Sequence, residues 1–292
     1  MKTTTGKLLW LTGALLALSA AAHAMEESPV DAVFHQAARP NLRSGIALIY
    51  DEQGQKPLFA KGEDNVVPIA SITKLMTAMV VLDAHLPMDE MITLTRDDED
   101  RYKRSRSRMR RGMTLPRGDL LKLALMASEN RAAAALARTF PGGVATAVAL
   151  MNAKARELGM SDTHFVDPTG LHSDNVSTAQ DLVKLVLAAR GYEQIHEATT
   201  STAHSVDLGK NRQLHFRNTN PLVRSTSWEI GLSKTGYISE AGRCLVMETR
   251  ISQRPVVIVL LDSWGKHTRV GDANRIRRWM ENGLSRSATQ RG

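Results

Sequence analysis

Ser71 and Lys74 place a hydroxyl and an amine three residues apart, in the segment Ser71-Ile72-Thr73-Lys74. On a helix, that spacing puts both side chains on one face. A serine hydroxyl attacks a carbonyl effectively only if a base takes its proton. A lysine amine can be that base only if its surroundings keep it neutral. The stretch SITKLMTAMVVLDA, residues 71–84, carries no other charge before Asp83, so an apolar helix surrounds the amine. The opposing reading is a lysine that carries its charge out to water along its stem. Two further groups bear on the choice. Ser128-Glu129-Asn130 offers a second hydroxyl and an amide, and Lys234-Thr235-Gly236 offers a cation, a hydroxyl and a residue without Cβ. Singly, Ser128 and Asn130 read as helix caps, and a lone S-x-x-K pair favours the solvated lysine.

The elements that must hold these groups follow from periodicity. SGIALIYDEQGQKPLFAKG reads as a β-hairpin around DEQGQ, and a helix begins near Ser71. Residues 91–116 are polar and aperiodic, and are expected to be mostly loop. From Pro116 to about Arg190 the pattern is helical, with a break at 128–130 and helices over about 144–158 and 178–189. FVDPTGLHSDNVS, between those two, is dense in turn residues. Past residue 200 the pattern turns to strands, around 214–216, 230–236, 243–250 and 254–262. The last, RPVVIVLLD, is a continuous apolar run suited to a strand covered on both faces. A final helix is predicted over about 267–283, with Arg275, Arg277 and Arg278 pointing away from the sheet and residues 286–292 disordered. The predicted fold class is α/β: an antiparallel sheet built from both chain ends and flanked by helices, with an inserted all-helical subdomain over about 91–199.

Composition narrows the function classes. MKTTTGKLLWLTGALLALSAAAHA reads as an export signal, with a positive start, an apolar stretch and an Ala-His-Ala cleavage site. Cleavage after Ala24 removes Lys2 and Lys7 and takes the formal charge from +8 to +6. The expected organisation is a signal peptide over 1–24 and one domain over 25–285, with no membrane span. The single cysteine, Cys244, permits no intramolecular disulfide, so a hydrophobic core must hold the fold. In its strand pattern it reads as a small buried apolar group. The basic run RYKRSRSRMRR, residues 101–111, concentrates the positive charge. For an exported chain it suits an anionic envelope polymer or a solvated loop better than nucleic acid. His164, His172, His196 and His204 lack zinc spacing, and no metal or cofactor is expected.

The three groups, in this order, match the S-x-x-K, S-D-N and K-T-G set of class A β-lactamases and penicillin-binding proteins, with Glu129 at the one differing position. IASITKLMTAMVVLD, LALMASENRAAAALA, FVDPTGLHSDNVSTAQDL and GLSKTGYISEAGRCLVM extend the likeness over about residues 40–282. The chain resembles the low-molecular-mass penicillin-binding proteins, the D-alanyl-D-alanine peptidases. Within them it is most similar to the small periplasmic endopeptidases of the penicillin-binding protein 7 group. The larger carboxypeptidases carry a further β-domain and an amphipathic anchor, which are not expected here. The resemblance implies Ser71 as the acylated nucleophile and Lys74 as its base. Ser128 would relay a proton to the leaving nitrogen, and Asn130 would hold a substrate carbonyl. Lys234 and Thr235 would take a substrate carboxylate, the Lys234 charge would discourage protonation of Lys74, and Gly236 would let a substrate backbone lie along the strand. The backbone N–H groups of Ser71 and Tyr237 would form an oxyanion hole.

The expected function is cleavage of D-alanyl-diaminopimelate cross-links in peptidoglycan through an acyl-enzyme, with β-lactams as covalent inhibitors. The alternatives are D-alanyl-D-alanine carboxypeptidase action on stem peptides and a non-catalytic peptidoglycan-binding role. A β-lactamase fits less well, because FVDPTGLHSDN lacks the glutamate that deacylates class A enzymes.

Overall fold

The computed structural model describes residue 34, residues 38–207, residue 209 and residues 212–289, with side chains of the last helix as far as residue 286. The export signal lies outside the described residues. In chain order the strands begin with the hairpin β1 (Ile46–Asp51) and β2 (Lys56–Lys61). Helix α1 (Thr73–Asp83) follows directly on a single 3-10 turn, Ala70–Ile72. Next come α2 (Arg117–Met126), α3 (Asn130–Arg138), α4 (Gly143–Glu157), α5 (Ala179–Ala189) and α6 (Glu193–Thr200). The chain then returns through β3 (Glu229–Ile238), β4 (Gly242–Ile251) and β5 (Arg254–Ser263), and ends in α7 (Thr268–Thr289). These five strands form one antiparallel sheet in the order β2-β1-β5-β4-β3, so the two chain ends meet at the β1–β5 pair. This is the predicted fold class.

Alternation along the strands builds the two cores. Val257, Val259 and Leu261 of β5 pack with the helical region, while Val256, Ile258 and Leu260 face Ala273, Ile276 and Met280 of α7. Successive side chains of a strand point to opposite faces, so a strand covered on both sides must be apolar throughout. Helix α1 is buried over residues 73–82, Lys74 included. A helix apolar on every side has no wet face along which a lysine can extend its charge. Asp272 ties α7 to the start of β1 by accepting from the backbone N–H groups of Arg43 (3.0 Å) and Ser44 (2.7 Å) and from Ser44 Oγ (2.6 Å).

Three expectations are corrected. Residues 91–116 are mostly loop, but their ends pair as two three-residue strands, Met91–Thr93 with Thr114–Pro116, too short to show periodicity. Helix α6 and the strand Ala203–Asp207 lie where no regular element was expected. The last helix runs to Thr289, so residues 286–289 are helical rather than disordered. Gly283 does not stop it, because the helix packs there against Phe34, 2.6 Å from where a Cβ would stand. No single described helix is long and apolar enough to cross a membrane.

Candidate active site

Ser71 sits in the 3-10 turn and Lys74 in the first turn of α1, 1 % exposed. Lys74 Nζ lies 2.8 Å from Ser71 Oγ, 2.7 Å from Asn130 Oδ1 and 2.6 Å from the Thr169 carbonyl oxygen. The last two partners can only accept. A neutral amine has two N–H groups and one lone pair, so the two carbonyls take the N–H groups and the lone pair faces Ser71. Ser71 is the one partner of the three that can donate. A neutral Lys74 is thereby aimed at the serine proton.

Burial lowers the Lys74 amine from 10.5 to about 7, against the pull of the Asp167, Glu129 and Asp100 carboxylates, which favour the ammonium form. Desolvation is the largest cause, and the two buried amines, Lys74 and Lys234, disfavour each other's protonation. Lys234 is buried in its turn, and its amine is held well below the ordinary value by burial first, then by Lys74 and Arg269. Its Nζ donates to Ser128 Oγ at 2.8 Å and to the Thr235 carbonyl at 2.9 Å. Ser128 joins the two motifs physically. It stands between α2 and α3 at φ +58°, a left-handed conformation that a non-glycine residue adopts at a cost and that recurs at functional sites. Ala70, just before Ser71, is left-handed as well, at φ +48°.

Strand β3 forms the free edge of the sheet and passes beside the Ser71 turn. A Cβ on Gly236 would stand 2.9 Å from the Ile69 oxygen and 3.0 Å from Ser71 N. The protein's own turn fills that space, so a side chain at 236 would press on the Ser71 turn. Thr235 Oγ1 lies 2.6 Å from Thr219 Oγ1, so the wall presents two hydroxyls. An open groove of about 530 Å³ runs along this edge, with Ser71, Ser128, Asn130, Thr235, Gly236 and Tyr237 in its lining. Six of the eight predicted residues line the groove, and Lys74 and Lys234 lie buried beneath it.

Several residues of the site escaped sequence reasoning. Asp167, in the turn-rich FVDPTGLHSDN, accepts from the backbone N–H groups of Thr169 (2.6 Å), Gly170 (2.9 Å) and His172 (2.8 Å) and from Asn175 Nδ2 (2.5 Å). It shapes the loop that presents the Thr169 carbonyl to Lys74. Gly170, at φ +75°, would bring a Cβ to 2.0 Å from the Ala70 oxygen and 2.9 Å from Ser71 N. Asp-Pro-Thr-Gly is a legible turn signal, but nothing local says what the turn touches. Ser105 Oγ, from the basic run, accepts from Asn130 Nδ2 at 2.9 Å. Arg269 reaches back from α7 to donate to the Gly236 (3.1 Å) and Cys244 (3.2 Å) carbonyls and joins the groove lining. Cys244 is fully buried, and burial pushes its thiol up to about 12, as befits a core residue. Among the described residues, no group of His, Cys, Asp or Glu could hold a metal ion.

Gly170→Ala is expected to shift the Ser71 turn and slow acylation by a β-lactam about a hundredfold, since a displacement near 1 Å at a reacting group has that effect. Stopped-flow measurement of the acylation rate, with circular dichroism to confirm folding, checks it. A rate within about twofold of wild type would show that the turn tolerates the crowding.

A family model described as D-alanyl-D-alanine carboxypeptidase matches residues 33–265. The chain belongs to that family. It is therefore a serine-type peptidase. Family relatives include the D-alanyl-D-alanine endopeptidase of Pseudomonas aeruginosa, 47 % identical over 95 % of this chain and 89 % of that protein. The D-alanyl-D-alanine endopeptidase of Escherichia coli is also 47 % identical, over 85 % of this chain and 80 % of its own. Among solved structures, the Streptomyces K15 DD-transpeptidase superposes with a TM-score of 0.77 at 26 % identity, covering 83 % of this chain and 98 % of that one. Penicillin-binding protein D2 of Listeria monocytogenes, in its cefotaxime-bound form, superposes at 0.73 with 30 % identity, covering 83 % and 99 %.

Proposed function

We propose that this protein is a periplasmic D-alanyl-D-alanine endopeptidase that opens D-alanyl-diaminopimelate cross-links of peptidoglycan and is acylated by β-lactams. The observation that carries the chemistry is the buried Lys74 amine standing 2.8 Å from Ser71 Oγ. Ser71 Oγ attacks the D-alanyl carbonyl while Lys74 Nζ takes its proton. The carbonyl oxygen becomes an oxyanion against the backbone N–H groups of Ser71 and Tyr237. Ser128, hydrogen-bonded to Lys234, gives its hydroxyl proton to the leaving nitrogen as the C–N bond breaks and regains one from the Lys74 ammonium, which returns to the neutral amine. Asn130 holds the acyl side of the peptide, and Lys234, Thr235 and Thr219 face a carboxylate beside the leaving nitrogen. Water then attacks the ester, with the neutral Lys74 amine accepting its proton and handing it to Ser71 Oγ as the ester C–O bond breaks. Domain limits of 25–285, an export signal over 1–24 and periplasmic location belong to the same reading.

The choice of endopeptidase over carboxypeptidase rests on the two endopeptidases matched at 47 % identity across most of their length. Digestion of purified cross-linked dimers, followed by liquid chromatography and mass spectrometry, tests it. The expected result is conversion of dimers to monomers. Release of free D-alanine from pentapeptides with dimers left intact would establish the carboxypeptidase reading instead. A chain that binds peptidoglycan but gains no mass from penicillin would be a binding module.

A further inference from the structure

The groove continues beyond the reacting centre. Along β3 its lining runs from Thr235 through Tyr237 to Ser239, and Lys103 lines it as well. Lys103 belongs to the basic run, and Glu240 to the turn between β3 and β4. The two meet in an ion pair of 2.5 Å, with side chains 25 % and 41 % exposed. A half-wet pair of this kind contributes little to stability and exchanges partners readily. Lys103 is nonetheless well placed. The Asp100 carboxylate accepts from the backbone N–H groups of Tyr102 (2.9 Å), Lys103 (2.8 Å) and Ser105 (2.7 Å), and Ser105 in turn bonds Asn130. The rest of the run is turned elsewhere. Arg101, Arg104, Arg106, Arg110 and Arg111 are exposed outside the groove lining, and Arg108 lies over the Phe216 ring at 4.2 Å.

The leaving group distinguishes the two family reactions. Free D-alanine carries one carboxylate, next to the leaving nitrogen, where Lys234 and Thr235 suffice. A leaving stem peptide carries further carboxylates several bonds away, and must run along the groove past Tyr237. There the Tyr237 ring, 57 % exposed, lines the groove and stacks with the Arg243 guanidinium at 4.5 Å.

We propose that Lys103 is a specificity residue that receives a distal carboxylate of the leaving peptide, and that Glu240 occupies that place while the groove is empty. This assignment rests on the endopeptidase reading. Its sharp consequence is that the two members of one ion pair have opposite effects. Lys103→Gln removes the receiving cation, and the KM for a cross-linked dimer rises about fivefold. Glu240→Gln removes the competitor, and that KM falls about twofold. Penicillin acylation and release of terminal D-alanine from a pentapeptide stay at wild-type rates in both variants. A pair that merely latched the loop to the turn would shift both variants in the same direction and would move the penicillin rate as well.

The experiment measures KM for dimer, KM for pentapeptide and the penicillin acylation rate with the full exported chain and both variants. Opposite shifts confined to the dimer support the assignment. An unchanged dimer KM in Lys103→Gln, or shifts of the same sign in both variants, overturns it. A wild type that acylates penicillin yet leaves dimers intact overturns the endopeptidase reading, and this assignment falls with it.

Discussion

Ser71→Ala is expected to yield a folded protein that gains no mass from penicillin and opens cross-links at least about a thousandfold more slowly. The side chain lost is small and sits in a turn whose shape is set by Gly170, Gly236 and the Ala70 backbone, so the fold persists. What disappears is the one hydroxyl, among the described groove-lining residues, that contacts the Lys74 amine, at 2.8 Å. Intact-mass spectrometry after penicillin treatment reads the first effect, and dimer digestion the second. A residual adduct elsewhere on the chain, with cleavage preserved, would mean that another hydroxyl attacks.

Lys74→Arg and Lys74→Met are expected to slow acylation by about 10²- to 10⁴-fold, the usual share of a general base. Arginine keeps the charge and the donors but cannot become neutral, so it separates proton acceptance from electrostatic support. Methionine keeps comparable bulk and leaves the Asn130 and Thr169 oxygens without their 2.7 Å and 2.6 Å partners. If arginine restored more than about a tenth of the wild-type rate, positive charge rather than a lone pair would be the requirement. Acylation rates from a chromogenic cephalosporin, with thermal melting as the folding control, decide the matter.

Much of this site was legible in the sequence because its parts sit in regular elements. Ser71 and Lys74 share a helix turn whose apolar surroundings announce burial, and Lys234, Thr235 and Gly236 sit in a strand bounded by clear turns. The continuous apolar run 254–262 was readable as a strand covered on both faces for the same reason. Other features depend on tertiary contacts that no local pattern encodes. Thr169 acts through its backbone carbonyl, which every residue possesses, so its side-chain type carries no signal. Arg269 is one arginine among several in α7, and only the packing of that helix across the sheet brings it to the groove. The cause of the Lys74 shift was half readable: an apolar helix foretold desolvation, but the opposing carboxylates of Asp167, Glu129 and Asp100 come from three separate segments. The close approach of Gly236 to the Ser71 turn was not readable, because that turn lies 165 residues earlier in the chain.

A neutral lysine as base makes acylation depend on pH in a defined way. Burial brings Lys74 to about 7, so the acylating form accumulates as pH rises through that value. Below it the rate should fall about tenfold per pH unit, and above it the rate should level off until the fold or the substrate fails. The rate of penicillin acylation across about pH 5 to 9, at constant ionic strength, is the measurement that bears most directly on this assignment. A rise with a midpoint near 7 is predicted. A flat profile, or a rise that begins only near the ordinary lysine value of 10.5, would contradict it.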